Sequence, residues 1–271
     1  MTELHVPAGS IVGMGFSLAV SWGLPLLLLT LIRRKQKADI LPFFLGCGSF
    51  FLFAMLLEQL MHSLVLLKMG PVSQALRDNL WLYALYGGLA AGLFEETGRY
   101  LTMRFLMKGK WTRENALMYG AGHGGMEAVL ILGMASVNNL IYSVMINSGS
   151  LVSSLSENMD SQQVLESLAP LGELPSWQFF LGGGERVLAI ALHLSLSLFV
   201  WQAVKNRDKW FYYPLAIVLH MAVNMAAVLA ANLGKLVLAE AVTLAGTLVI
   251  GYAAWKWCWS SENRETKEQY R

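Results

Sequence analysis

Ionisable side chains recur inside stretches of this sequence that are otherwise apolar. An ionisable group within a bilayer costs several kcal/mol, so it normally faces other polar groups or a water-filled cavity. The number of such groups here exceeds what structural hydrogen bonding between helices needs, and it predicts a functional polar cavity. The ionisable residues are Glu58, His62, Glu95, Glu96, Arg99, His123, Glu127, Glu185, Arg186, His193 and His220, and the polar Asn224 joins them.

Helical spacing brings some of these residues onto common faces. His123 and Glu127 are four residues apart, as are His220 and Asn224, and residues at i and i+4 are neighbours on a helix surface. Glycines surround His123 in the segment 120–125, and small residues allow another backbone to approach closely. We therefore expect the side chains on these faces to meet those of neighbouring helices.

Hydrolysis is the chemistry that such residue types suggest. A carboxylate can take a proton from water, and histidines can hold that water or stabilise an oxyanion. Two histidines and a carboxylate can equally bind zinc, and the set predicted to do so is His123, His220 and Glu127. The sequence contains neither His-Glu-x-x-His nor Gly-x-Ser-x-Gly, so serine chemistry is disfavoured, and both metal-dependent and metal-free hydrolysis remain open.

Seven apolar runs must position these residues. The chain has 271 residues, of which 55% are hydrophobic and 14% are charged, whereas soluble domains carry about 25% charged residues. Runs of about 20 apolar residues are long enough to cross a bilayer as helices. We predict an all-α transmembrane helical bundle that forms a single integral membrane domain over 1–271, with spans at 9–32, 40–67, 80–103, 116–145, 178–204, 211–232 and 235–257.

Basic residues lie mainly in alternate loops, which predicts the orientation of the chain. Cytoplasmic loops are enriched in Lys and Arg, so the N-terminus is expected outside and the C-terminus in the cytoplasm. The net charge of +2 gives no reason to expect nucleic acid binding. The predicted cytoplasmic set is Arg33, Arg34, Lys35, Lys37, Arg104, Lys108, Lys110, Arg113, Lys205, Arg207, Lys209, Lys256, Arg264, Lys267 and Arg271, and the outer set is Lys68, Arg77 and Lys235.

The one long loop, 146–177, lies outside in this topology. It contains four acidic residues and no Lys or Arg. Its stretch 151–168 has a weakly helical apolar pattern, which is compatible with a surface lid or with a solvated loop.

Depth in the membrane brings several ionisable residues into one layer. Glu95, Glu96, His123 and His220 each lie about 7–9 residues, or about 10–14 Å, from the cytoplasmic end of their spans. Residues from three spans therefore share a layer, which predicts a site near the cytoplasmic side.

A second polar layer is predicted nearer the outside. It contains Glu58 and His62 in the second span and Glu185 and Arg186 in the fifth. We interpret it as an ion-pair layer that holds helices together rather than as a catalytic one.

Four motifs in this order resemble the YhfC family of intramembrane metalloproteases. They are Glu95-Glu96-Thr97-Gly98-Arg99, then Gly122-His123-Gly124-Gly125-Met126-Glu127, then Glu185-Arg186 with His193, and then His220-Met221-Ala222-Val223-Asn224. That family is similar to the CAAX prenyl endopeptidase and bacteriocin-processing group. The resemblance spans most of the chain and implies a peptidase in a bacterial cytoplasmic membrane, acting on a membrane-embedded or lipidated peptide.

The resemblance also implies roles for the residues. In the wider group a Glu-Glu-x-x-x-Arg motif supplies the glutamate that activates water, which matches Glu95 and Glu96, with Arg99 orienting them. His123 would help to hold the water, and His220 with Asn224 would form the oxyanion side. Here the arginine follows the first glutamate at four positions rather than five, so which glutamate is the base stays open. The remaining residues of the pattern are expected in supporting or ligand roles: Glu127, Glu185, Arg186 and His193.

Two other functions fit the same residues. Buried carboxylates and histidines suit the proton relay of a transporter or channel. A transporter would be expected to contain inverted repeats and broken helices. A seven-helix sensor or scaffold without activity is the third reading.

Overall fold

The computed structural model describes residues 4–67, 70–154 and 161–260, and within these ranges the chain is helical without strands. The all-α fold is thus confirmed. We number the helices α1 Ala8–Gln36, α2 Leu41–Leu66, α3 Pro71–Asp78, α4 Leu80–Leu101, α5 Arg113–Asn147, α6 Leu151–Ser154, α7 Ser161–Leu168, α8 Pro170–Glu173, α9 Ser176–Lys205, α10 Tyr212–Asn232 and α11 Leu236–Trp259.

Six helices within the described ranges are long and apolar enough to cross a membrane. They are α1, α2, α5, α9, α10 with the turn that precedes it, and α11. Large apolar side chains remain exposed along them, as expected of surfaces that face lipid rather than water. The prediction of a polytopic membrane protein is confirmed.

The helix α4 corresponds to the third predicted span but is not one of these six. Its last two turns carry Glu95, Glu96 and Arg99. Charged residues strongly disfavour insertion of a helix into the membrane, so the residues of greatest chemical interest are also those that lower the hydropathy of α4.

The described residues of the predicted outer loop form three short helices, α6, α7 and α8. Residues 155–160, which belong to the apolar pattern considered as a lid, lie outside the described residues. The same holds for the basic residues Lys68, Arg264, Lys267 and Arg271. The helix α3, between the second and third predicted spans, was not predicted.

The chain divides into two compact units, with boundaries inside α1, α5 and α9. The first unit consists of the described residues up to Leu24 and of those in Glu127–Val187. Its core contains Val6, Met14, Ile146, Leu151 and Leu171. The second unit consists of Pro25–Met126 and of the described residues from Leu188 onward.

Glycines in the second unit bring α4 and α10 into backbone contact. A Cβ atom added at Gly88 would lie 2.7 Å from the Met221 carbonyl oxygen, and one at Gly92 would lie 2.7 Å from that of Ile217. Such approach is possible only without a side chain. It sets the C-terminal half of α4 against the face of α10 that carries His220.

A second set of glycines surrounds His123 on α5. A Cβ added at Gly122 would lie 1.9 Å from the Phe43 carbonyl oxygen on α2, and one at Gly120 would lie 2.9 Å from the His193 carbonyl oxygen on α9. The helix α5 is therefore packed tightly between α2 and α9, as the glycines around His123 predicted.

Several basic loops lie at one end of the second unit. Lys110 Nζ is 3.0 Å from Asp39 Oδ2, and Arg113 Nη1 donates to the Trp259 carbonyl oxygen at 3.0 Å. The loops after α1 and α4 and the end of α11 thus meet at this end, which we call the basic end.

Candidate functional site

Glu95 is the residue around which the candidate site is built. Its Oε2 lies 2.9 Å from His123 Nε2 on α5 and 3.9 Å from His193 Nε2 on α9. All three side chains are buried. Three helices of the second unit therefore converge on one carboxylate, as the shared depth of Glu95 and His123 predicted.

Glu96 faces a different set of partners. Its Oε2 lies 3.0 Å from Arg99 Nε, and its Oε1 lies 2.9 Å from His220 Nδ1 on α10. Successive residues of an α-helix differ in direction by about 100°, so neighbouring glutamates reach different helices. The two glutamates, which the sequence alone could not distinguish, therefore have different partners in the structure.

Arg99 joins α4 to α9. One guanidinium nitrogen donates to the His193 carbonyl oxygen at 2.7 Å and to the Ser197 hydroxyl, and the other donates to His193 Nδ1 at 2.9 Å. The Ser197 hydroxyl in turn donates to the same His193 carbonyl at 2.7 Å. Arg99 is completely buried, and its charge is compensated by Glu96.

The ring of His193 contacts the rings of both His123 and His220. The centroid of His193 is 4.8 Å from that of His123 and 5.2 Å from that of His220, to which its ring is nearly perpendicular. His123 Nδ1 is buried with no hydrogen-bond partner among the described residues. A buried polar atom normally binds a protein group or an ordered water.

Asn224 lies one turn after His220 on α10 and is half-buried. This position agrees with the predicted common face. Its side chain is therefore accessible to a molecule that reaches this face of α10.

One group of described residues could hold a metal ion: Glu95, His193 and His220, whose ligand atoms all lie within 4.8 Å of one another. Two histidines and a carboxylate suit zinc. The metal-binding set predicted from the sequence was His123, His220 and Glu127. Only His220 belongs to both sets.

The contacts around the metal candidates test the fit more closely. A histidine that binds a metal normally donates its other ring N–H to a carboxylate or carbonyl. His220 meets this condition through Glu96 Oε1. His193 does not, because its Nδ1 faces the guanidinium of Arg99. The donor types thus fit zinc, whereas the surroundings of His193 do not.

Glu127, Glu185 and Arg186 form a separate cluster in the first unit. Arg186 Nη1 donates to Glu127 Oε1 at 2.8 Å, and Arg186 Nε donates to Glu185 Oε2 at 2.8 Å. The side chain of Arg186 is almost wholly buried, and its contacts are those of a structural ion pair.

Glu58 and His62 contact each other in the second unit, at 3.2 Å between Glu58 Oε1 and His62 Nε2. His62 Nδ1 also lies 2.8 Å from the Tyr86 hydroxyl on α4. Tyr86 was missed from the sequence because tyrosines in membrane proteins usually lie at the interface, and nothing in its spacing links it to His62.

Ser197 was likewise not among the site residues predicted from the sequence. The available signal was its spacing of four residues after His193, since a serine hydroxyl can bond to the carbonyl one turn earlier. Its contact with Arg99 had no signal in the sequence.

Comparison with known proteins assigns the sequence to a family. The family model described as YhfC intramembrane metalloprotease matches residues 20–244, which include all the site residues above. A relative named "Uncharacterized membrane protein YhfC", from Bacillus subtilis (strain 168), is 42% identical over 220 residues, which cover 81% of this chain and 84% of that protein. No solved structure shows a significant match. The chain is therefore an integral membrane protein that belongs to the YhfC intramembrane metalloprotease family.

Proposed function

We propose that the chain is an intramembrane peptidase in which Glu95 activates water for attack on a peptide bond. The observation that carries this proposal is the difference between the two neighbouring glutamates. Both oxygens of Glu96 are engaged, one by Arg99 and one by His220, whereas Glu95 lies among the histidines of the cluster. Glu95 is thus the carboxylate placed to act on a bound molecule.

The proposed reaction needs only a proton acceptor and hydrogen-bond donors from the chain. Glu95 takes one proton from water as the water oxygen bonds to the carbonyl carbon of the peptide. His123, bonded to Glu95 Oε2, orients the carboxylate. The carbonyl oxygen gains the negative charge, which a hydrogen bond from Asn224 stabilises, whereas the N–H of His220 is used by its contact with Glu96. Glu95 then gives its proton to the departing amine as the carbon–nitrogen bond breaks.

Glu96 and Arg99 act in this scheme by positioning other groups. Glu96 accepts from His220 Nδ1 and thereby fixes the direction of that ring. Arg99 holds Glu96 and, through two contacts, His193. The formal charges of Glu95, Glu96 and Arg99 sum to −1. Buried charges are tolerated when they are paired, and Arg99 supplies this pairing for Glu96.

A metal ion, as the name of the family implies, would find Glu95 and His220 suitably arranged. When bound, such an ion would polarise the peptide carbonyl and make its water more acidic. The steps assigned to Glu95 and to the positioning residues do not depend on it.

We propose that the substrate is a membrane-embedded or lipidated peptide cut near the cytoplasmic face of a bacterial cytoplasmic membrane. The basic end of the second unit supports this orientation, because Lys and Arg are enriched on the cytoplasmic side. Glu95 lies in the half of α4 nearest that end. Hydrolysis there requires a water path to the site from the cytoplasm.

The test is proteolysis by the purified chain in lipid nanodiscs, with a library of transmembrane and lipidated peptides as substrates. We expect Glu95→Gln to lower the rate by about 10²- to 10⁴-fold, the usual contribution of a general base. Glu173→Gln, which changes an exposed carboxylate on α8, is the matched control and should be fully active. Equal cleavage by Glu95→Gln would refute the proposal.

A chain that cleaves no peptide but moves protons across liposomes in a Glu95-dependent manner would instead identify a transporter. The described helices that carry the site are continuous, whereas transporters typically bind substrate at broken helices. This observation favours the peptidase.

A further inference from the structure

The hydrogen bond between Arg99 and His193 determines which ring nitrogen of the histidine carries the proton. Arg99 Nη2 lies 2.9 Å from His193 Nδ1, and both side chains are buried. A guanidinium group has only donors, and it stays protonated in proteins. His193 Nδ1 must therefore be the acceptor and carries no hydrogen.

This assignment also determines the protonation of the other ring nitrogen, Nε2. A neutral imidazole has one N–H and one unprotonated nitrogen, so the proton of His193 must lie on Nε2. The Nε2 atom is the one that points towards Glu95, at 3.9 Å from Oε2. His193 thus presents a donor to the site and not a lone pair.

The ring cannot readily turn over to exchange its nitrogens. The backbone carbonyl oxygen of His193 accepts hydrogen bonds from Arg99 and Ser197. The ring of His193 packs between the rings of His123 and His220. A Cβ added at Gly124 would lie 3.2 Å from His193 Cδ2, so the backbone of α5 already borders the ring. A turned ring would also place a carbon atom against the guanidinium of Arg99.

Metal binding through Nε2 would need a different arrangement. It would need a lone pair on Nε2, and Nδ1 would then have to carry the hydrogen and face an acceptor. Arg99 offers no acceptor. The remaining option is a doubly deprotonated ring, which is an additional anion in a buried site.

His220 provides an internal comparison. Its Nδ1 faces a carboxylate oxygen, Glu96 Oε1, at 2.9 Å, so its Nδ1 is the donor and its Nε2 lone pair can face the site. Two histidines of the same cluster therefore have opposite surroundings, one next to an arginine and the other next to a glutamate.

We infer that Arg99 is a positioning residue that fixes His193 as the Nε2–H tautomer, so that His193 is a hydrogen-bond donor in the site and not a metal ligand. In the reaction proposed above, and resting on that proposal, this N–H would donate to the water or to the carbonyl oxygen beside Glu95. The tautomer itself rests on the contacts alone.

Nitrogen NMR of the folded protein tests the tautomer directly. The chain labelled with ¹⁵N-histidine is studied in nanodiscs, and His193→Gln assigns the resonances of His193. We expect an unprotonated Nδ1 and a protonated Nε2 in the wild type. Ser197→Ala, which removes a different Arg99 contact, should keep this pattern, whereas Arg99→Gln should change it. A wild-type His193 with the proton on Nδ1 would overturn the inference, whether or not Arg99→Gln folds.

Metal content gives a second readout that does not depend on proteolysis. Wild type and His193→Gln are equilibrated with zinc, freed of excess metal, and analysed for zinc per chain. Equal zinc content in the two proteins supports the inference, whereas stoichiometric zinc in the wild type that is lost in His193→Gln overturns it. Failure to cleave any peptide would count against the proposed function but would leave both readouts unchanged.

Discussion

His220 and Glu96 are 124 residues apart in the chain, and yet His220 Nδ1 lies 2.9 Å from Glu96 Oε1 in a fully buried pair. The contact joins α10 to α4, and Arg99 extends it to α9. One carboxylate thereby links three helices, and its loss is expected to affect the fold more than the loss of its neighbour Glu95.

Replacement of Glu96 should destabilise the protein. Glu96→Gln leaves the buried Arg99 without its carboxylate partner, and breaking a buried ion pair costs about 3–5 kcal/mol. We expect a clear fall in the thermal unfolding temperature in detergent. Glu95→Gln should cause a smaller fall, because it leaves the buried ion pair between Glu96 and Arg99 in place. Equal unfolding temperatures for the two variants would contradict the division of roles between the glutamates.

Two glycines on α2 offer a matched pair of substitutions. A Cβ at Gly46 would lie 2.2 Å from the Tyr119 carbonyl oxygen, whereas one at Gly48 would have nothing within 4 Å. Gly46→Ala should therefore separate α2 from α5 and reduce both folded yield and activity. Gly48→Ala should be neutral or stabilising by up to about 1 kcal/mol, the helix preference of Ala over Gly. Folded yield by size-exclusion chromatography distinguishes the two, and similar yields would show that the α2–α5 contact tolerates a methyl group.

Asn224 should affect catalysis without affecting the fold. It is half-buried on α10, so Asn224→Ala should leave the unfolding temperature nearly unchanged. Loss of one oxyanion donor lowers kcat by about 10²- to 10³-fold. Asn232→Ala at the end of the same helix, where the side chain bonds to the Val228 carbonyl oxygen, is the control. A change in KM with constant kcat would argue that Asn224 binds substrate without stabilising the oxyanion.

The orientation of the chain can be measured with cysteine labelling. Cys47 and Cys258 are the two native cysteines, and their replacement by alanine gives the background. Lys108→Cys, near the basic end, should react with a membrane-impermeant maleimide only after the cytoplasmic face is opened. Asp78→Cys, at the end of α3, should react in intact cells. The reverse pattern would invert the predicted topology and move the proposed site to the outer half of the membrane.

The ion-pair cluster of the first unit should behave as a structural element. Arg186→Met leaves Glu127 and Glu185 without their shared partner, and it should increase the rate of limited proteolysis. Adding Glu127→Gln removes one of the two carboxylate charges that Arg186 had compensated, and it should restore part of the resistance. This non-additivity is expected of residues in direct contact, and purely additive effects would show that the pairs contribute little.

The helices and their common layer could be predicted from the sequence, whereas the partners of each side chain could not. Apolar runs and the spacing of glycines depend on local sequence, and they predicted the positions of α2, α4, α5 and α10 closely. The separation of Glu95 from Glu96 depends on how far α4 is rotated about its axis. No spacing within α4 determines that rotation, since it is set by Gly88 and Gly92 against α10.

The predicted metal set illustrates the same limit. His123 and Glu127 share a helical face by spacing, but Glu127 pairs with Arg186, 59 residues away in the sequence. The pairing of Arg99 with His193 likewise joins residues 94 positions apart. Contacts between helices so distant in sequence leave no local pattern from which to predict them.

The charges on α4 also bear on how the protein is made. The helix that carries Glu95, Glu96 and Arg99 is the one whose hydropathy alone does not qualify it as a span, so the bilayer accepts it less readily than its neighbours as it leaves the translocon. The glycine contacts at Gly88 and Gly92 and the partners His220 and His193 lie on α10 and α9, which the ribosome completes much later. We therefore expect stable insertion of α4 to depend on helices that are synthesised after it, and the site to form only once those helices have packed against it.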